Sequence, residues 1–488
     1  MQPDGPATPQ FRPAYHFTPA AHWMNDPNGL VFHQGEYHLF FQHHPGSSVW
    51  GPMHWGHATS SDLLHWQQQP IALYPDKLGM VFSGSAVVDH NNRADLGPPG
   101  SSPLVAMFTH HDMAAEQAGH IDRQSQGLAF SLDGGQTWTR YAGNPVLANP
   151  GRPDFRDPKL RWLADRQCWL ISLACGDRIC FYSSADLKAW TLESEFGAGL
   201  GAHGGVWECP DLFPLAGADG RVRWVLLVSL TPGGPNGGSA TQYFVGDFDG
   251  HRFTADDTQV RWLDHGPDNY AGVTWDGVHD RALFIGWMSN WQYAATLPTA
   301  PWRSAMTMPR ELLLRQLGGQ AWVASQPARE LLALQIPATL ARSQITLGAE
   351  ALDLSDSLIG SHGRWVLRLA TPALRSFTLS LGNPAGDVLQ IGFDADAGQW
   401  WIDRQASGDV GFHPAFAGRH SAPRIAQGAV ADLQLWFDAS SVELFADGGL
   451  STLTSLFFPR QPWRRASLAS PDGMLLGQLS VQPLRDPR

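Results

Sequence analysis

Ser61-Asp62-Leu63-Leu64-His65-Trp66 is a short polar stretch ending on an indole, and it returns along the chain. It recurs as Ser131-Leu132-Asp133-Gly134-Gly135-Gln136-Thr137-Trp138 and as Ser184-Ala185-Asp186-Leu187-Lys188-Ala189-Trp190, then more loosely as Asp247-Phe248-Asp249-Gly250-His251-Arg252-Phe253. The closing aromatic positions lie 72, 52 and 63 residues apart. Between them run short apolar segments such as 37–42, 104–109, 168–173, 224–230 and 283–288, punctuated by Gly, Pro, Asn and Asp, with no amphipathic helix of convincing length. A four-stranded unit repeated at such a period is a propeller blade. The region from about residue 15 to 330 has room for about five.

Beyond Glu311-Leu312-Leu313-Leu314 the pattern changes. A stretch rich in Leu, Ala and Arg, around 326–341, reads as a linker with some helix. Alternating strands then return at 365–369, 376–381, 388–393, 431–437 and 442–446. The expected architecture is all-β: a propeller over 12–330, a linker over 331–345 and a second β domain, most simply a sandwich, over 346–488.

Composition agrees with a turn-dense globular protein, since 488 residues include 51 Gly, 36 Pro and only 16 % charged residues. A formal net charge of −12 argues against nucleic acid or an anionic membrane as partner. No segment reaches the roughly 20 apolar residues of a membrane span. Residues 1–12 are polar and Pro-rich without an apolar signal core, so the sequence as it stands reads as cytoplasmic, or as exported if a signal has been removed. Twenty-one Trp supply flat faces suited to sugar rings, although most are expected to pack in the core. The four Cys lack zinc-ligand spacing and read as free thiols, and the histidines between His22 and His65 read as polar wall residues. No metal and no cofactor is expected.

The candidate chemistry lies in three acids. His22-Trp23-Met24-Asn25-Asp26-Pro27-Asn28-Gly29 places one carboxylate between amides in what reads as a tight turn. Amide donors beside it should hold Asp26 at a low pKa, as a carboxylate nucleophile requires. Phe155-Arg156-Asp157-Pro158 repeats the Asp-Pro device, and Trp207-Glu208-Cys209-Pro210-Asp211 supplies a further acid, with Cys209 a packing or hydrogen-bonding neighbour rather than a nucleophile. Asp157 and Glu208 are 51 residues apart, about one blade, and Asp26 and Asp157 are 131 apart, about two. Inner strands of different blades face one channel, so these acids can converge. One carboxylate as nucleophile and one carboxylic acid as proton donor is the requirement of glycoside hydrolysis.

These motifs, together with Phe41-Gln42, Trp55-Gly56-His57, Phe82-Ser83-Gly84-Ser85, Asn269-Tyr270-Ala271, Gly286-Trp287-Met288 and Pro301-Trp302-Arg303, resemble glycoside hydrolase family 32, the invertase, levanase and inulinase group. The resemblance implies a five-bladed propeller with a C-terminal β-sandwich. It implies Asp26 as nucleophile on a terminal fructofuranosyl unit, Glu208 as acid and then base, and Asp157 as a holder of the fructose hydroxyls, with Arg156 orienting Asp157 and Glu208 or reaching a sugar hydroxyl. The retaining reaction sets roughly 5–5.5 Å between nucleophile and acid, and burial beside a second carboxylate should raise the pKa of Glu208. The resemblance also implies that Asn25 and Gln42 hydrogen-bond the sugar, that Trp50 and Phe82 wall the site, that Ser83 reaches the primary hydroxyl, and that Tyr270, Trp287 and Trp302 line the pocket.

Asp rather than Glu at the first acid favours exo action. The runs 268–275 and 297–303 resemble exo-inulinases and levanases, whereas the absence of a signal favours short, imported substrates. The reading is therefore a retaining exo-β-fructosidase on sucrose, fructo-oligosaccharides and, with chain length left open, inulin or levan. A fructosyltransferase on the same acids is one alternative. A propeller hydrolase of arabinofuranosides lacks the 23–29 run, and a non-catalytic sugar-binding propeller would have lost an acid. His43-His44 and Asn269 depart from the family pattern beyond the fructose pocket.

Overall fold

The computed structural model describes residues 8–358 and 361–487. Five antiparallel sheets are built in chain order, and their first strands touch one another in a ring. These innermost strands are His22–His33 of blade I, Met80–Val88 of blade II, Phe155–Leu163 of blade III, Val206–Ala216 of blade IV and Tyr270–Thr274 of blade V. Apolar side chains from facing sheets fill the wedges between blades. Phe40 and Trp55 of blade I meet Val81 and Phe108 of blade II, and Phe181 of blade III meets Phe244 of blade IV. The ring is closed by Trp302–Arg303, which pairs in parallel with His22 and Trp23.

The recurring Ser-Asp-aromatic stretch is the turn between the third and fourth strands of a blade. In blade I, Asp62 Oδ1 accepts from the backbone N–H of Leu64 and His65, both at 2.9 Å, and the Trp66 indole donates to the Leu63 carbonyl at 3.0 Å. Blade III repeats this with Asp186, Lys188, Ala189 and Trp190 at the same distances. In blade II the Trp138 indole donates to Gly135 at 3.1 Å. Asp, an Asx-turn former, satisfies the turn's N–H groups while the indole packs over it.

One local expectation is corrected. The segment His22–Gly29 is not a turn; it lies within a 12-residue innermost strand. Asn25 and Asp26 together oppose the single residue Gln42, which makes a β-bulge. Each other innermost strand bulges at the same level. Phe82 and Ser83 face Thr109, Asp157 and Pro158 face Leu173, Cys209 and Pro210 face Val228, and Ala271 and Gly272 face Gly286. Asp157, Cys209 and Ala271 take positive φ of 63°, 47° and 54° there. A bulge re-aims side chains that a regular strand would alternate. Below this level Lys159 and Asp211, 3.4 Å apart, and Thr274, whose N–H and hydroxyl both donate to Asp211 at 2.7 Å, fill the channel.

The last propeller strand ends at Pro327, a 3₁₀ turn covers Arg329–Leu334, and the next strand begins at Leu340. Two six-stranded sheets then face each other across an apolar core containing Trp365, Phe377, Trp400 and Phe437. The two domains meet through charges that no water reaches. Arg310 of blade V reaches Asp264 at 2.9 Å and binds Glu443 of the sandwich, and Arg404 of the sandwich binds Asp268. The segment leading into blade I runs along the sandwich, where His16 bonds Asp438 at 2.8 Å and Glu443 at 2.9 Å.

Breaking a buried pair by removing one partner strands the other charge. Arg310→Met is expected to cost about 3–5 kcal/mol, read as a fall in unfolding temperature. Burial alone would lower the pKa of His16, but its two carboxylate partners raise it from 6.5 to about 9. A raised folded-state value gives stability that is complete below the unfolded value and lost as pH climbs through the folded one. Stability should therefore decline from about pH 6.5 to pH 9, and His16→Gln should abolish this part of the decline in a pH series of melting curves.

Candidate active site

The five bulges bring one group from each blade to one mouth of the ring. Asp26 comes from blade I, Ser83 from II, Asp157 from III, Glu208 from IV and Tyr270 from V. Asp26, Ser83, Asp157 and Glu208 line a cavity of about 320 Å³, a size suited to a sugar unit, walled also by Asn25, Gln42, Trp50 and Phe82, while Tyr270 supports Glu208 through its hydroxyl.

Asp26 accepts from Asn25 Nδ2 at 2.9 Å on one oxygen and from Ser83 Oγ at 2.8 Å on the other. Asn25 is itself fixed by the Trp23 indole at 2.7 Å. Asp157 is anchored at both ends. Its N–H donates to Thr109 Oγ1 and its carboxylate accepts from the Cys209 N–H, each at 3.0 Å. The Cys209 thiol lies 3.6 Å from both Asp26 Oδ2 and Asp157 Oδ2, so one sulfur bridges two acids. Glu208 is held on both oxygens, by the Tyr270 hydroxyl on one and by Arg156 Nη2, at 2.9 Å, on the other.

Electrostatics departs from the sequence expectation for Asp26. Its carboxyl is raised, not lowered, because burial and the charge of Glu208 outweigh the hydrogen bonds from Asn25 and Ser83. Asp157 is likewise pushed up, by burial and against the Arg156 guanidinium, with Glu208 and Asp26 adding to the rise. Three carboxyls sharing one neighbouring guanidinium favour retention of a proton within the group. Burial pushes the imidazole on the cavity wall, His111, down from its ordinary value.

Three expected wall residues sit elsewhere: Tyr270 is buried and meets the site only through its bond to Glu208. Trp302 is 2 % exposed, lies in the ring-closing strand and packs beneath Arg12 at 4.1 Å, away from the acid cavity. Trp287 is wholly buried behind the wall, where its ring stands 5.0 Å from Trp291 and 6.1 Å from Trp23. Trp291, which the sequence reading missed, reaches the cavity instead. Ser83 spends its hydroxyl on Asp26. Gln42 leaves its Nε2 without a partner among the described residues, at the cavity wall.

Also missed were Asp154, Arg123 and Glu116, which form the outer wall. The one signal in the sequence was Asp154, two residues before Arg156 and so on the same side of an extended chain.

Paired acids around a sugar-sized polar cavity are the working parts of a glycoside hydrolase. The propeller with a flanking sandwich narrows that class, and sequence comparison completes it. The profile of the glycosyl hydrolases family 32 N-terminal domain matches residues 16–327, and that of the family 32 C terminal matches 335–483. The chain belongs to glycosyl hydrolase family 32. A levanase from Bacillus subtilis is 42 % identical over 489 residues, covering 97 % of this chain and 70 % of its own. An extracellular exo-inulinase of Aspergillus niger is 42 % identical over 499 residues, covering 95 % and 92 %. Among solved structures, exo-inulinase from Aspergillus awamori superposes with a TM-score of 0.90 at 37 % identity, over 98 % of this chain and 99 % of that one. A β-fructofuranosidase from Schwanniomyces occidentalis, complexed with fructosyl-erythritol, gives 0.88 at 32 % identity over the same shares.

Burial beside three acids raises the Cys209 thiol well above 9, so it carries no thiolate at neutral pH. Iodoacetamide at pH 7.5 should leave activity intact and Cys209 unmodified by mass spectrometry.

Proposed function

We propose that this hydrolase removes terminal non-reducing β-D-fructofuranosyl units with retention, through a covalent fructosyl-enzyme. Asp26 attacks the anomeric carbon as the bond to the leaving oxygen breaks, and Glu208 delivers its proton to that oxygen. Water then gives a proton to Glu208 and displaces Asp26, which leaves as the carboxylate. Asn25 and Ser83 hold Asp26 in line for attack, and each bond favours its anion. When Glu208 carries the proton, the charge that opposes ionisation of Asp26 is gone, so the two states support each other. Asp157, fixed at both ends, holds the fructose hydroxyls through bonds that tighten as positive charge grows on the ring.

The observation that carries this reading is the cavity with Asp26, Asp157 and Glu208 on its wall and a channel plugged just below them. A relative named exo-inulinase supports exo action. Relatives named levanase and exo-inulinase support fructan as well as sucrose as substrate, and the relative named extracellular supports an exported enzyme.

Chromatography of early products from sucrose, inulin and levan tests the proposal. Fructose as the sole early product from the polymers is expected, with none from Asp26→Ala. Early oligosaccharides would replace exo with endo action. Asp157→Ala should lose about 10³-fold in kcat/KM with little change in unfolding temperature; near-normal turnover would remove Asp157 from the site.

A further inference from the structure

Arg156 does not approach Glu208 alone. Its guanidinium divides its donors: Nη2 at 2.9 Å and Nε at 3.3 Å both point to Glu208 Oε1, while Nη1 points to Asp154 Oδ1 at 2.6 Å. That same Asp154 oxygen lies 3.2 Å from Arg123 Nη2, so one carboxylate oxygen bridges two guanidiniums. Arg123 is backed by Glu116 at 3.3 Å, and Glu116 by His111 at 3.0 Å. The His111 ring stacks flat on Phe82, with centroids 4.2 Å apart.

Asp154 holds its place at φ 53°, a left-handed conformation that Asp and Asn tolerate better than other side chains. A second path joins it to Glu208 through the backbone. The Gly176 N–H donates to the Asp154 carbonyl at 3.2 Å, and the Gly176 carbonyl accepts from the N–H of Trp207, the residue before Glu208, at 2.8 Å.

We propose that Asp154 is a positioning residue for proton transfer: by pinning Nη1 of Arg156 it fixes the plane of the guanidinium on Glu208 and offsets its positive charge there. The inference rests on Glu208 being the acid/base. With Asp154 in place, the groups facing Glu208 are Arg156, Tyr270, Asp26, Asp157 and Cys209. Those facing Asp154 are the guanidiniums of Arg156 and Arg123. Removing the Asp154 charge leaves Arg156 offset by Asp157 and Glu208 alone, so its positive charge acts more strongly on Glu208, which gives up its proton at lower pH. Removing Arg123 does the opposite, since Asp154 then offsets Arg156 more fully. A scaffold role would move both variants the same way.

The test is Asp154→Asn and Arg123→Gln in the full chain, assayed on sucrose and on β-D-fructofuranosyl fluoride, whose leaving group needs no proton. On sucrose, Asp154→Asn should lose about tenfold in kcat with KM within about threefold. In the first turnover on the fluoride, where only formation of the fructosyl-enzyme is read, it should recover most of that loss. The alkaline limb of kcat/KM should move to lower pH in Asp154→Asn and to higher pH in Arg123→Gln. Equal losses on both substrates, or limbs that stay put or move together, would overturn the proposal. Glu208→Gln separates the two levels of inference. If Glu208→Gln gives no fast first-turnover release of fluoride, before its missing base stalls the second step, the acid assignment itself is wrong; if it does and Asp154→Asn does not, only the role of Asp154 falls.

Discussion

The site depends on five bulges at one level of the ring. In a regular strand alternate residues face opposite sides, so a single innermost strand offers the channel mouth only every second side chain. Inserting one residue at Asn25–Asp26, and at the matching level of the other four blades, turns consecutive residues toward the mouth and crowds them. Three of the bulges use a non-glycine residue at positive φ, which costs free energy that the paired strands on either side hold in place. Ligand affinity and proton transfer thus draw on the same backbone irregularity.

Crowding explains the charge behaviour. Asp26 has two hydrogen bonds that favour its anion, and on those alone its carboxyl would sit low. Burial and Glu208 reverse the result. The protein brings its acids within reach of one another's charge and gives each its own partners: Asn25 and Ser83 for Asp26, the Cys209 N–H for Asp157, Arg156 and Tyr270 for Glu208. Charge separation among similar groups is what allows one carboxyl to act as base and another as acid.

Much of this was legible in the chain. The Ser-Asp-aromatic repeat gave the blade period because the hairpin turn it encodes is local: Asp62 and Trp66 bond within their own few residues. The three acids were legible because each lies in a short motif. What escaped was whatever depends on distant strands. The bulges leave no mark in composition, so 22–29 read as a turn. Trp302 and Trp287 looked like wall residues because an indole's exposure is set by the neighbours of its strand, and here those are the ring closure and the Trp23–Trp291 layer. Arg123 and Glu116 come from the blade II excursion around 112–123, where nothing in sequence points toward blade III.

The buried charges between propeller and sandwich also limit how such a protein can vary. A propeller severed after Pro327 would keep the Arg310–Asp264 pair but lose Glu443 from Arg310 and Arg404 from Asp268, and its entry segment would lose Asp438 and Glu443. The two halves are therefore poor candidates for recombination with unrelated modules, and must be inherited as one piece. Diversification of substrate range is left to the loops that the interface does not touch, chiefly the exposed rim around Val49 and Trp50 and the short helix Met113–Gln117.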